Sequence, residues 1–426
     1  MAMNESLLHY IWKFRLYSSG RLSLSDGRLL EVENPGQHNQ DQGPDFLNAR
    51  IKIEDISWAG NVEVHVASSD WEKHKHTNDP AYDRIILHVV FKEDKKLFFA
   101  NGQAIPTLVL EKITDPSLLS RFEILQNPKL KIPCQDQLTE IPKLLFKSWS
   151  DRMAIERLEE KTNRIQELLS KNQNNWEETF YQLLFRNFGF HVNTDAFESL
   201  ARAVPFSILK KNLHSLSQTE ALLFGQAGLL SENKNPDEYT SSLQKEYAFL
   251  QSKYSLKPID ASLWKFMRTR PSNFPTVRIS QLAALITQPG FQFSKIIQLR
   301  KTVEVLKLLN VSSSDYWKDH FHFGKKTDAK KGTLGEESRR LLLINTIVPF
   351  IFSYLRSKGN EEAENIALDL LNECKAEKNS ILRLWESNGI PVCSALESQS
   401  LIYLYHHYCS KRRCLECGFG LEILRK

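Results

Sequence analysis

The residue types best suited to chemistry crowd into one stretch near the N-terminus. Asp45 follows Pro44 and precedes a strand-like segment, and eighteen positions later Glu63-Val64-His65 sets a carboxylate and an imidazole two residues apart. In a strand, residues two apart project to the same face, so Glu63 and His65 can converge. If the segments on either side of Trp58-Ala59-Gly60-Asn61 pair as a hairpin, Asp45 at the start of the first strand comes close to Glu63 at the end of the second. Two carboxylates facing one point suit a hard divalent cation, Mg²⁺ or Mn²⁺, which takes oxygen ligands and keeps several waters. Such an ion lowers the pKa of a bound water and stabilises charge on a transferring phosphoryl group. Asp45 and Glu63 are therefore candidate metal ligands. His65 is a candidate for positioning or deprotonating the attacking water, with metal ligation as its alternative role.

The same stretch offers a second chemistry. His38, His65, His74, His76 and His88 are five of the chain's twelve histidines, and Asp70 and Trp71 stand among them. His65, His74, His76 and His88 could supply imidazoles to Zn²⁺, with Asp70 or Glu63 completing the shell. A plainer reading competes with both. An Asp after Pro before a strand is ordinary turn chemistry, Glu-x-His on a strand can be a polar outward face, and His88 in an apolar run can be a core histidine.

Cysteines form a second cluster. Cys409-x4-Cys414-x2-Cys417, within YCSKRRCLECGFG, has spacing that suits zinc or an iron–sulfur cluster, because short loops can wrap thiolates around one centre. The fourth ligand is open: Cys393, His406, His407 or Cys374 could supply it. Lys411, Arg412 and Arg413 would offset thiolate charge. A third group, Arg268, Arg270 and Arg278 with Asn273 and Phe274, is a basic and aromatic stretch that could meet a nucleic-acid backbone or simply cap a loop between helices. Phe224-Gly225-Gln226-Ala227-Gly228 lacks the Lys-Ser/Thr of a phosphate loop and reads as close helix packing.

The pattern Pro44-Asp45, gap, Glu63-x-His65 resembles the signature of the PD-(D/E)xK nuclease superfamily: Pro-Asp, a variable gap, then an acid, any residue and lysine. His65 stands where lysine is expected, a departure from the signature at the water-orienting position. The resemblance covers about the first 100 residues. It implies a restriction-endonuclease-like core and a Mg- or Mn-dependent nuclease acting on DNA or RNA. More widely, the stretches GPDFLNARIKI, WAGNVEVHVASSDWEKHKH, DPAYDRIILHVV, LFGQAGLL, RPSNFPTVRISQLAAL, INTIVPF and YCSKRRCLECGFG resemble an uncharacterised bacterial family, domain of unknown function 2851. That likeness runs through nearly the whole chain and implies no activity. A non-catalytic binding or scaffold protein with a structural metal at the cysteines is the competing functional class.

Elements must position these residues. Up to about residue 112 the order is a helix (Ser6 to Phe14), strands near Leu29–Glu33, Asn48–Ile56 and Val62–Val66, a short helix from Asp70 to about Lys75, and strands Arg84–Phe91 and Ile105–Leu110. From Pro116 onward, apolar and charged residues recur at helical spacing. The expectation is α+β: a mixed α/β module over 1–112, then a large all-helical domain over 113–426, in one lobe or two. Of the 426 residues, 41% are hydrophobic and 25% charged, ordinary values for a chain that buries a core. The net charge of +5 is compatible with a polyanionic partner. The start, MAMNESLLHYIWKF, does not read as a signal peptide, and no apolar run reaches membrane-spanning length, the longest being Leu341 to Leu355, interrupted by Pro349. A cytoplasmic location without a membrane partner is the default expectation.

Overall fold

The structure, a computed structural model, describes residues 3–18, 20–231, 236–267, 269–328 and 332–426. It is an α+β chain in two compact units. One comprises Met1–Phe146 together with Tyr405–Lys426, the other Lys147–Leu404. The change from strands to helices does fall near residue 112, but the compact units divide elsewhere. The chain's end returns to the first unit, where the C-terminal helix Gly418–Arg425 packs on the helix Pro116–Leu125 and Arg121 Nη2 donates to the Leu424 carbonyl over 3.2 Å.

The first unit begins with helix α1 (Glu5–Phe14), capped by Asn4, whose side chain accepts from Leu7 N. A seven-stranded sheet follows: β1 (Leu22–Ser23), β2 (Leu29–Asn34), β3 (Gln37–His38), β4 (Phe46–Ile53), β5 (Ile56–Ala67), β6 (Ile85–Lys92) and β7 (Thr107–Val109). The order is β1-β2-β4-β5-β6-β7, with β3 pairing on β4; pairs up to β4–β5 are antiparallel, and β5–β6 and β6–β7 are parallel. A parallel step needs a crossover. That between β5 and β6 carries a one-turn helix, α2 (Asp70–Lys73), and 3₁₀ turns at His76–Asn78 and Pro80–Tyr82.

The β4–β5 hairpin turns at Glu54-Asp55, where Glu54 takes φ 51°, and not at Trp58–Asn61 as expected. The glycine there serves a close approach: a Cβ on Gly60 would stand 2.4 Å from Ile86 Cγ2 on the neighbouring strand. Phe46, Ala49, Ile51 and Ile53 of β4 are all buried, although Phe46 is out of step with the alternation of the other three. The register explains this. It pairs Ala49 with Gly60 but Phe46 with Val62, so one residue is bulged near Asn48, whose φ is 57°. The bulge matters for Asp45. Continued unshifted, the Ala49–Gly60 register would set it opposite Val64; shifted, it lies opposite Glu63.

Strand β6 is buried from Ile85 to Val90, as expected of a strand covered on both faces. The second unit is built of helices, including Trp176–Phe188 and Pro275–Ile286, around a core rich in phenylalanine: Phe185, Phe188, Phe197, Phe224, Phe350 and Phe352. It is not all-helical, because a two-stranded ribbon, His320–His322 with Lys325–Lys326, turns at Gly324 (φ 70°). The run Leu341 to Leu355 is helical and largely buried, with a π-turn at Leu343–Ile347 just before Pro349. No helix among the described residues is long and apolar enough to cross a membrane.

Candidate metal centre

Glu63 and His65 leave β5 on one face, as their spacing requires, and the parallel register sets His88 of β6 beside Glu63. The crossover folds back so that His74 and His76 meet them. His65 Nε2 lies 3.1 Å from His74 Nδ1 and 3.5 Å from Glu63 Oε1, and His76 Nε2 lies 3.3 Å from the same Oε1. The ligand atoms of His65, His74 and His76 all fall within 4.8 Å of one another. Nitrogens bound tetrahedrally to one ion at ordinary bond lengths stand about 3.4 Å apart, so the three imidazoles lie near enough to hold one ion together after a small closing movement. His76 Nε2 is buried and, despite its 3.3 Å approach to Glu63 Oε1, makes no well-aligned hydrogen bond among the described residues, a deficit that a metal bond would satisfy. His74 is exposed, and the cluster is open to solvent on its side.

The supports are specific. His65 Nδ1 is 2.9 Å from His88 Nε2, so a His65 that offers Nε2 to a metal donates its other N–H to His88. Trp71, buried, sets its ring against His76 and His88 at 5.4 and 5.3 Å and donates from Nε1 to Thr77. Tyr82 stacks on His76 at 3.8 Å. Asp70 does not join the donors: it closes the turn into α2 by accepting from Ala67 N (2.9 Å) and pairs with Lys73.

Asp45 and Glu63 are neighbours, each carboxylate tied to the backbone beside the other. Asp45 N donates to Glu63 Oε2 over 3.1 Å and Val64 N donates to Asp45 Oδ2 over 2.9 Å. His9, absent from the expected site residues, joins them: its Nε2 lies 3.2 Å from Asp45 Oδ2. Nothing in the spacing of α1 pointed to it, because the contact depends on how α1 lies on the sheet. His38 is exposed, stacks on Phe46 at 5.0 Å and meets the edge of His9, outside the donor cluster.

Burial and charge set the protonation states. Burial, reinforced by the Asp45 charge, pushes Glu63 up to about 8. Burial and the neighbouring histidines push His65 down to about 4 and His88 to about 3, and lower His76 as well. Burial would raise Asp45 too, but His9 and the Val64 N–H outweigh it and hold the carboxyl below its ordinary value. Neutral imidazoles are the metal-binding form.

The other expected residues separate. Cys409, Cys414 and Cys417 do come together, and the thiol they meet is Cys134, which the sequence reading did not consider. Cys374 and Cys393 belong to the helical unit, and Cys393 is exposed. Arg278 is turned inward rather than toward a backbone ligand. Its guanidinium donates to Gln281, Asn273 and Ser338 and lies over the Phe190 ring at 4.3 Å. Arg270 is exposed, and with Arg278 and Asn273 it lines a cavity of about 280 Å³. Arg268 lies outside the described residues.

The family described as Protein of unknown function (DUF2851) matches residues 5–380, and the chain belongs to it. The matched span contains all the histidines and acids of the cluster together with Cys134, and ends before Cys409. No curated protein and no solved structure matches the chain.

Proposed function

We propose that this chain is a metal-dependent phosphodiesterase of nuclease type, acting on DNA or RNA at the His65–His74–His76–Glu63 cluster. The observation that carries the reading is the convergence of His65, His74 and His76, their ligand atoms within 4.8 Å of one another, beside the Glu63 and Asp45 carboxylates. A shell of imidazoles and one carboxylate suits Zn²⁺ or Mn²⁺ better than Mg²⁺, which favours oxygen. Bound there, the metal supplies Lewis acidity and a water acidic enough to yield hydroxide near neutral pH.

Phosphodiester chemistry, among the hydrolyses such a site could serve, is favoured by the likeness to the PD-(D/E)xK superfamily. The order α1, three antiparallel strands (β2, β4, β5), α2 and the parallel β6 is the one that likeness implies. Asp45 stands just before β4 and Glu63 lies on β5, where that likeness would place the paired acids. In this reading His65 replaces the lysine as a ligand instead of a proton carrier, in keeping with its lowered pKa. Asp45, kept ionised beside His9, accepts the proton of the attacking water.

The test is cleavage of DNA and RNA with Zn²⁺ or Mn²⁺ by the full chain and by Asp45→Asn, Glu63→Ala and His74→Ala. Loss of a general base typically costs about 10²–10⁴-fold, and a loss in that range is expected for Asp45→Asn. Equal residual activity in wild type and all three variants would sink the proposal.

A further inference from the structure

We infer that the cavity beside Arg278 in the helical unit binds phosphate, free or as the terminal group of a small phosphate monoester. The cavity measures about 280 Å³, and its lining holds two arginines, Arg270 and Arg278, and no carboxylate. That size is near the lower end of ligand pockets, enough for a phosphate and a small organic part.

Arg278 stands in the first turn of the helix Pro275–Ile286 and is only 5% exposed. Its contacts are all neutral. Nη1 donates to Gln281 Oε1, Nη2 donates to Asn273 Oδ1 and Ser338 Oγ, and the guanidinium lies over the Phe190 ring. Among the described residues no carboxylate pairs with it, and its buried Nε–H has no acceptor. Burial lowers its pKa only to about 10, so the side chain keeps its charge at neutral pH. A buried charge without a counter-charge is costly, and an unpaired buried donor adds to that cost. An anion in the cavity supplies both the missing charge and an acceptor. Arg270 is exposed, and its guanidinium makes no hydrogen bond or ion pair among the described residues, which leaves it free to close on the same anion. Two guanidinium groups match the double negative charge of phosphate and can take its oxygens in pairs, whereas a carboxylate would neutralise only one of them. Phe188 and Phe197, both fully buried, give the cavity an apolar wall for a small organic group. The depth of Arg278 sets the class of ligand. A terminal phosphate can reach it, but a phosphodiester in mid-strand would have to bring its flanking nucleotides into the same space.

Calorimetric titration of the full chain with inorganic phosphate, adenosine monophosphate and sodium acetate tests this, with a chelator present and ionic strength held constant. Phosphate is expected to bind once per chain and acetate not to bind. Arg270→Gln, at an exposed position, is expected to weaken phosphate at least about tenfold, the loss of one charged hydrogen bond. Arg278→Lys keeps the charge but loses the planar fork, and a similar weakening is expected. Adenosine monophosphate binding more tightly than phosphate assigns the cavity to an ester; affinity no better than that of phosphate assigns it to the free ion. No binding of either probe tighter than about 1 mM, acetate binding as strongly as phosphate, or unchanged affinity in Arg270→Gln would each overturn the assignment. The cavity and the histidine cluster lie in different compact units. His74→Ala is therefore expected to bind phosphate as the wild type does, and failure of either reading is told apart from failure of the other.

Discussion

Glu63 and the histidines around it have opposite protonation preferences, and the pH dependence of the metal-free protein should show both. Glu63 has its folded-state value raised from 4.5 to about 8, so its contribution to stability is complete below pH 4.5 and is lost as pH rises through about 8. His65 and His88 are depressed from 6.5 to about 4 and about 3, so their contributions are complete above pH 6.5 and are lost as pH falls. Between 4.5 and 6.5 two histidines outweigh one carboxyl; above 6.5 only the carboxyl acts. The metal-free protein should therefore be most stable near pH 6.5, and Glu63→Gln should remove the decline on the alkaline side. Denaturation at a series of pH values in the presence of a chelator checks this. A decline above pH 6.5 that persists unchanged in Glu63→Gln contradicts it.

At the scale of elements, the site depends on where strands slip. Asp45 faces Glu63 only because β4 bulges by one residue near Asn48, and Asn48 holds φ 57° there. A β-branched residue resists that conformation, at a cost of about 1–2 kcal/mol. Asn48→Val should lower stability by about that amount and weaken metal-dependent activity, whereas Asn48→Gly should retain both; chemical denaturation with a parallel cleavage assay separates the outcomes. Equal behaviour of the two variants would mean the bulge does not position Asp45. The same strands show what could be read from the chain alone. Alternation in NARIKI located the buried face of β4, the apolar run at residues 84–91 located β6, and Glu-x-His gave two donors on one face. The bulge was not legible, because a one-residue slip leaves no mark in the hydrophobic pattern. Trp58–Asn61 looked like a turn because Gly and Asn favour turns, while the real requirement at Gly60 was space for Ile86 across the sheet. His9 and Cys134 were missed for a related reason: each reaches its partners through tertiary packing, and local spacing carries no signal for it.

For the whole molecule, the proposed histidine site lies in the unit formed by Met1–Phe146 and Tyr405–Lys426. Metal should therefore stabilise that unit and not the helical one. Mn²⁺, poorly matched to thiolates, isolates the histidine site. At a free concentration about a hundredfold above its Kd it should add about 2.7 kcal/mol, seen as an upward shift of one thermal transition that is absent in His74→Ala. A shift of equal size in that variant would place the binding elsewhere. The net charge of +5 fits a polyanionic substrate, but Arg278, turned inward on Gln281, Asn273 and Ser338, is not the residue to hold it.

Whether the histidine cluster holds a metal is decided by anomalous X-ray diffraction from crystals soaked in Mn²⁺ or Zn²⁺, with data at the metal's absorption edge. A peak is expected among His65 Nε2, His74 Nδ1, His76 Nε2 and Glu63 Oε1, within about 2.0–2.3 Å of each. Crystals that bind metal elsewhere and show no peak among these four atoms would contradict it.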